Sequence, residues 1–131
     1  MILDTEFLIS LRAEEESALS LAEELELENV PTRIPTIVIE ELYVGVGAGS
    51  SPNRNARDYE ALVENKPVVE LDERISRRAG MLEGQHLASD PKPNLGPGDA
   101  IVAATGLTLN EAVVTNDTDF ETVDGLRVRL Y

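Results

Sequence analysis

The chain has 131 residues, 42% of them hydrophobic, with 25 acidic against 11 basic side chains, a net charge of -14 and no cysteine. That length suits one compact domain, residues 1–131, with a core of its own, and that hydrophobic content excludes a disordered chain. Disulfides and thiolate metal sites are excluded outright, and no apolar run is long enough for a membrane-spanning helix.

The opening lacks a basic segment leading into a long apolar one, so no secretory signal is expected and the setting is read as cytoplasmic. The acidity, with an isoelectric point near 4.3, has three readings. Salt adaptation ranks first, because many carboxylates keep a chain hydrated where salt screens their repulsion. A basic partner would also favour an acidic surface. A metal site needs only a few acids. With one histidine and no tryptophan, no large preformed basic surface for nucleic acid is visible.

Met1-Ile2-Leu3-Asp4-Thr5 reads as a short buried strand that delivers a carboxylate to its C-terminal end. Thr5 is a plausible N-cap for a helix carrying Phe7, Leu8 and Leu11. A second helix, Glu14 to Glu28, shows the stripe Ala18, Leu21, Ala22, Leu25, with its acids on a solvated face. Val30 to Pro35 is a short strand region bracketed by prolines. A helix follows from Thr36, its candidate N-cap, and Glu41 falls among apolar neighbours, an expensive place for an unpartnered carboxylate. Gly45 to Asn55 reads as a flexible loop, and Asn55 to Glu64 as a helix. Pro67 to Leu71 is a strand, and Asp72 caps a helix running to about Leu87. Ala88 to Pro97 is a second loop. Pro97-Gly98-Asp99 opens a helix that is apolar almost all round and therefore buried, weakened or ended at Gly106 and Asn110. Ala112 to Thr115 is a buried strand, Asn116-Asp117-Thr118-Asp119 turns off its end, and Leu126 to Leu130 is the last strand. Strands alternating with helices predict a mostly parallel sheet of four to five strands with helices on both faces.

Four acids stand at comparable places: Asp4 ends a strand, Asp117 follows one, Glu41 lies in the helix after the second, and Asp99 opens the most buried helix. In a doubly wound sheet such positions meet at the carboxyl edge. Taken singly, each has an ordinary explanation: Asp4 and Asp99 as helix caps, Asp117 as a turn residue, and Glu40 as a rival to Glu41. Together they would repel one another unless a cation or a proton intervened. A hard divalent ion, Mg²⁺ or Mn²⁺, suits oxygen ligands, and metal-assisted hydrolysis of a phosphodiester follows.

The chain resembles the PIN domain, and within it the VapC-type toxins of toxin–antitoxin pairs. The likeness rests on Met1-Ile2-Leu3-Asp4-Thr5, on Glu41-Leu42-Tyr43-Val44-Gly45, on Gly98-Asp99-Ala100-Ile101-Val102-Ala103-Ala104 and on Val114-Thr115-Asn116-Asp117-Thr118-Asp119-Phe120. It spans nearly the whole chain, with the motifs in family order. Glu6 departs from it, where Asn or Ser is usual. The resemblance implies an α/β/α sandwich of PIN (Rossmann-like) type and a Mg²⁺- or Mn²⁺-dependent endoribonuclease. Its catalytic acids would be Asp4, Glu41, Asp99 and Asp117. Asp4, Asp99 and Asp117 would bind metal, Glu41 directly or through water, with Asp119 as rival or auxiliary, and Thr5, Thr115 and Asn116 in support. It also implies an RNA substrate, a homodimer and an antitoxin partner that blocks the acidic pocket. Arg54, Arg57, Arg74, Arg77 and Arg78 are local bases that could meet RNA, although surface pairing with the many acids is the more ordinary reading of each, and the loops Gly45–Asn55 and Ala88–Pro97 are its candidate rims. Alternatives are an RNA-processing nuclease without antitoxin and an inactive binding protein. A response-regulator-like phosphate acceptor ranks low, because no lysine follows Lys92.

Overall fold

The computed structural model describes residues 1–131. Five very short strands carry the fold: β1 (Ile2–Leu3), β2 (Ile34–Pro35), β3 (Val68–Val69), β4 (Val113–Val114) and β5 (Val128–Arg129). Six helices surround them: α1 (Thr5–Arg12), α2 (Glu16–Leu27), α3 (Thr36–Ala48), α4 (Pro52–Val63), α5 (Glu73–Leu87) and α6 (Pro97–Leu109), with a 3-10 turn at Thr118–Thr122.

All strand pairings are parallel. β4 lies between β1 and β5, and β2 pairs with β3. A parallel bridge between Ile2 and Arg33 joins the two parts, through Leu3 N–H to the Arg33 carbonyl at 3.0 Å and Arg33 N–H to the Met1 carbonyl at 2.9 Å. The strand order is thus β3-β2-β1-β4-β5. The chain winds outward from β1 through β2 to β3, then returns to lay β4 on the other side of β1. The switch point falls between β1 and β4, where an open α/β sheet places its ligand crevice.

Ile2, Leu3, Ile34, Val113 and Val114 are fully or almost fully buried on the strands, and Phe7, Leu8, Val38, Val102 and Phe120 pack against them. Parallel strands covered on both faces need this near-continuous apolar character. α6 is buried on most sides, as its composition predicts, and packs extensively on α5.

Several local expectations are corrected. Asp4, not Thr5, caps α1, its carboxylate accepting from Thr5 N–H at 2.8 Å. Pro35, not Thr36, occupies the cap of α3, and the Thr36 hydroxyl instead accepts from Leu71 N–H at 3.2 Å, tying α3 to the exit of β3. α2 begins only at Glu16, after Glu14 turns the chain with positive φ. The flexible loop expected over Gly45–Asn55 shrinks to Gly49–Ser51: α3 continues through Gly45 and Gly47 because Val46 is anchored in the core, and Pro52 starts α4 at its first turn. Asp72 caps α5 as expected, accepting from Ile75 N–H at 2.8 Å.

Gly106 does not end α6. It is a buried residue within it, and a β-carbon there would lie 2.9 Å from Leu126 Cδ1 and Val113 Cγ2 and 3.0 Å from the Glu111 carbonyl oxygen. Glycine lets the helix sit down on β4. Overpacking of about 1–3 kcal/mol should therefore outweigh the roughly 1 kcal/mol of helix propensity that alanine adds. Gly106→Ala is expected to lower the urea midpoint without changing the slope of the transition.

Candidate active site at the switch point

Asp4 leaves the C-terminal end of β1 and Thr115 the end of the adjacent β4, so the parallel register sets them side by side. The Thr115 hydroxyl donates to Asp4 Oδ2 at 2.7 Å, and the other Asp4 oxygen is the cap acceptor for Thr5 N–H. Both residues are buried, Asp4 at 5% exposure and Thr115 at 0%. The same Thr115 oxygen accepts from Asp117 N–H at 3.1 Å, and Asp117 Oδ1 accepts from Asp119 N–H at 2.9 Å, which starts the 3-10 turn. Helix capping and site building therefore use the same carboxylates at Asp4 and Asp117.

Glu41 enters from α3. Its Oε1 accepts from the Thr5 hydroxyl at 2.9 Å, so Thr5 belongs to the site through its side chain. Its Oε2 lies over the first turn of α6, only 2.9 Å from where a β-carbon on Gly98 would be. Glu40, its rival, is exposed. Asp99 sits in that first turn of α6, where the positive end of the helix favours an acid, while Gly96 takes the cap position. Asn116 does not join: it is exposed, and its side-chain oxygen faces Tyr131 N–H at 3.4 Å.

The electrostatics follow from this crowding. Burial pushes Asp99 up from 3.8 to about 6, reinforced by the charges of Asp4, Asp117, Glu41 and Asp119. Burial also raises Asp4, opposed by the hydrogen bonds from Thr115 and Thr5 and reinforced by Glu41 and Asp117. No lysine or arginine is ion-paired to any of these five acids. The bases pair elsewhere, as in Arg33–Glu111 and Arg129–Glu24. Of the five arginines singled out for RNA, only Arg77 is ion-paired, to Glu73. The donor set is all oxygen and lacks a counter-charge, which fits a hard divalent cation. As the side chains stand, no three acids or histidines are already gathered to hold an ion.

The second rim is firmer than its composition suggests. His86 is buried in α5 and its Nδ1 is 3.0 Å from the Pro93 carbonyl, which can only accept, so Nδ1 carries the proton. Lys92 pairs with Asp124 at 2.9 Å, and Leu95 is buried. These two contacts and the burial of Leu95 pin the chain that leads into Asp99. The sequence holds a single histidine, and its meeting with Pro93 seven residues on depends on how the chain turns back after α5.

A family model described as the PIN domain matches residues 1–126. The chain belongs to the PIN domain family. The PIN chain is 29% identical, over 82% of its length and 81% of the relative's, to the tRNA(fMet)-specific endonuclease VapC of Shigella flexneri. Among solved structures it is similar to the DNA-bound VapBC of Salmonella typhimurium, with 25% identity, a TM-score of 0.84 and coverage of 98% of this chain and 96% of that one. VapBC2 of Rickettsia felis, bound to a fragment of promoter DNA, shares the PIN fold at a TM-score of 0.86 with 19% identity, over 98% and 96% of the two chains. The expected α/β fold with a parallel sheet is the one observed. No helix is long and apolar enough to cross a membrane.

Proposed function

We propose that the chain is a VapC-type toxin, a Mg²⁺- or Mn²⁺-dependent endoribonuclease in which Asp4, Glu41, Asp99 and Asp117 form the catalytic set, residues 1–131 acting as one PIN unit. The observation that carries this reading is the cluster of carboxylates at the sheet's switch point with no basic residue to neutralise them. Asp4, Asp99 and Asp117 would hold the cation, with Glu41 in direct or water-mediated contact. Asp117 is favoured over Asp119, since its backbone N–H is tied to the same Thr115 oxygen that holds Asp4. A bound divalent ion would supply acidification of a water and neutralisation of charge on the phosphodiester.

The residues of the chain do the rest. Thr115 and Thr5 N–H occupy one lone pair on each Asp4 oxygen and so fix the direction in which the remaining ones point. Thr115 also ties the Asp117 loop to Asp4, coupling the ends of β1 and β4. Thr5 holds Glu41 on the opposite side. Arg54, Arg57, Arg74 and Arg78, which make no ion pair, are available to meet phosphates, and high salt would screen the remaining repulsion between this acidic surface and RNA. The VapBC likenesses support an antitoxin as partner; a homodimer and a cytoplasmic setting are part of the same proposal.

The test is an RNA-cleavage assay at high salt, with and without Mn²⁺, comparing wild type, Asp4→Asn and Asp117→Asn. The Shigella relative's name makes tRNA the first substrate to try. Cleavage that needs the metal and is lost in both variants is expected. Variants that cut as well as wild type would remove the acidic set, and cleavage that survives chelation would remove the metal.

A further inference from the structure

We propose that Gly98 is the positioning residue for Glu41: the missing β-carbon at the first turn of α6 is what lets the Glu41 carboxylate lie against that helix end beside Asp99. This rests on the nuclease reading for its functional meaning and on contact geometry for its substance. A β-carbon at Gly98 would stand 2.9 Å from Glu41 Oε2 and 3.2 Å from its Cδ, with Oε1 at 3.4 Å in ordinary contact, so one oxygen and the carboxyl carbon crowd the space a methyl would need. No conformational need for glycine competes with this explanation, since Gly98 is helical and only Gly125 among the glycines has positive φ.

Glu41 cannot yield without consequence. Its Oε1 holds the Thr5 hydroxyl at 2.9 Å, so a shift away from α6 strains or breaks that bond. The helix end gains from the carboxylate too. α6 has no side-chain cap, because Gly96 at the cap position has no side chain, and an anion near its unpaired first-turn N–H groups is favourable. The group a β-carbon would displace is the far end of a flexible side chain, not backbone. Gly98→Ala is thus predicted to leave the fold intact, or to firm the first turn of α6, while dislodging one acid of the site. A glycine that only served packing would show the opposite pattern, as is expected of Gly106.

The experiment compares wild type, Gly98→Ala, Glu41→Gln and the double variant. Metal-free crystal structures report whether the Thr5–Glu41 hydrogen bond survives, calorimetry reports Mn²⁺ affinity, and thermal melting reports stability. Expected for Gly98→Ala are a melting temperature at or above wild type, a displaced Glu41 and an Mn²⁺ affinity reduced by about 10–100-fold. In the Glu41→Gln background the same substitution should change Mn²⁺ affinity no further. A Gly98→Ala structure with Glu41 still on Thr5, or equal weakening in both backgrounds, overturns the proposal. If Glu41 moves yet wild type neither binds Mn²⁺ nor cuts RNA, the nuclease reading falls and the positional role of Gly98 stands.

Discussion

Replacing Asp99 with asparagine is expected to make the metal-free protein more stable at neutral pH and to abolish RNA cleavage. Asp99 is pushed up to about 6 by burial and by four neighbouring carboxylates. Between its unfolded value near 3.8 and its folded value near 6, the folded state holds the extra proton. Stability from this group is therefore present at low pH, is lost as pH rises through that window, and stays lost above it. At pH 7.5 the folded protein carries the full penalty of an ionised Asp99. A shift of this size corresponds to roughly 3 kcal/mol at 1.36 kcal/mol per pH unit. Asp99 is only partly buried, so solvent screening reduces this to about 1–2 kcal/mol. Asparagine keeps the shape and removes the charge. Its melting temperature in EDTA should exceed wild type by about 3–8 °C at pH 7.5, and the two should converge near pH 4. Saturating Mn²⁺ should raise wild type by mass action and leave the variant nearly unmoved. A variant less stable than wild type at pH 7.5 would show that the crowding costs nothing. This is the usual exchange of stability for function at an active site.

Thr115→Val is expected to lower Mn²⁺ affinity and cleavage by about 10–100-fold while keeping nearly the same volume. The loss has two routes. Asp4 forfeits the donor that best favours its ionised form, so its raised pKa rises further, and the acidic limb of the pH–rate profile moves to higher pH. Asp117 N–H loses its acceptor, so the turn that aims Asp117 loosens. Thr115→Ser retains the hydroxyl and should recover most of both. If serine proves no better than valine, the hydroxyl alone does not account for what Thr115 does.

Thr115 also shows how far the sequence reaches. Its hydroxyl could be placed near the end of a buried strand by pattern alone, and so could the carboxylates of Asp4 and Asp117. Nothing local said that one oxygen would serve both, because that depends on β1 and β4 lying adjacent in parallel register, 111 residues apart along the chain. Gly45 and Gly47 misled in the other direction. Glycine-rich composition signals a loop, yet Val46 between them is buried and the helix runs on, tertiary burial overriding local propensity.

By itself, then, the sequence determined the period and order of the elements and the chemistry available. Alternating strands and helices made a parallel sheet the economical solution, and acids at strand ends and helix starts, without cysteine and with one histidine, left only oxygen ligands. The tertiary structure alone decided which acids meet. It put the switch point between β1 and β4, set Glu41 against Gly98, turned Asn116 outward, and left the cluster without a basic partner. Local pattern records what each residue can do within a few turns of chain. Convergence and desolvation are properties of contacts between segments far apart in the chain, and those exist only once the sheet has closed.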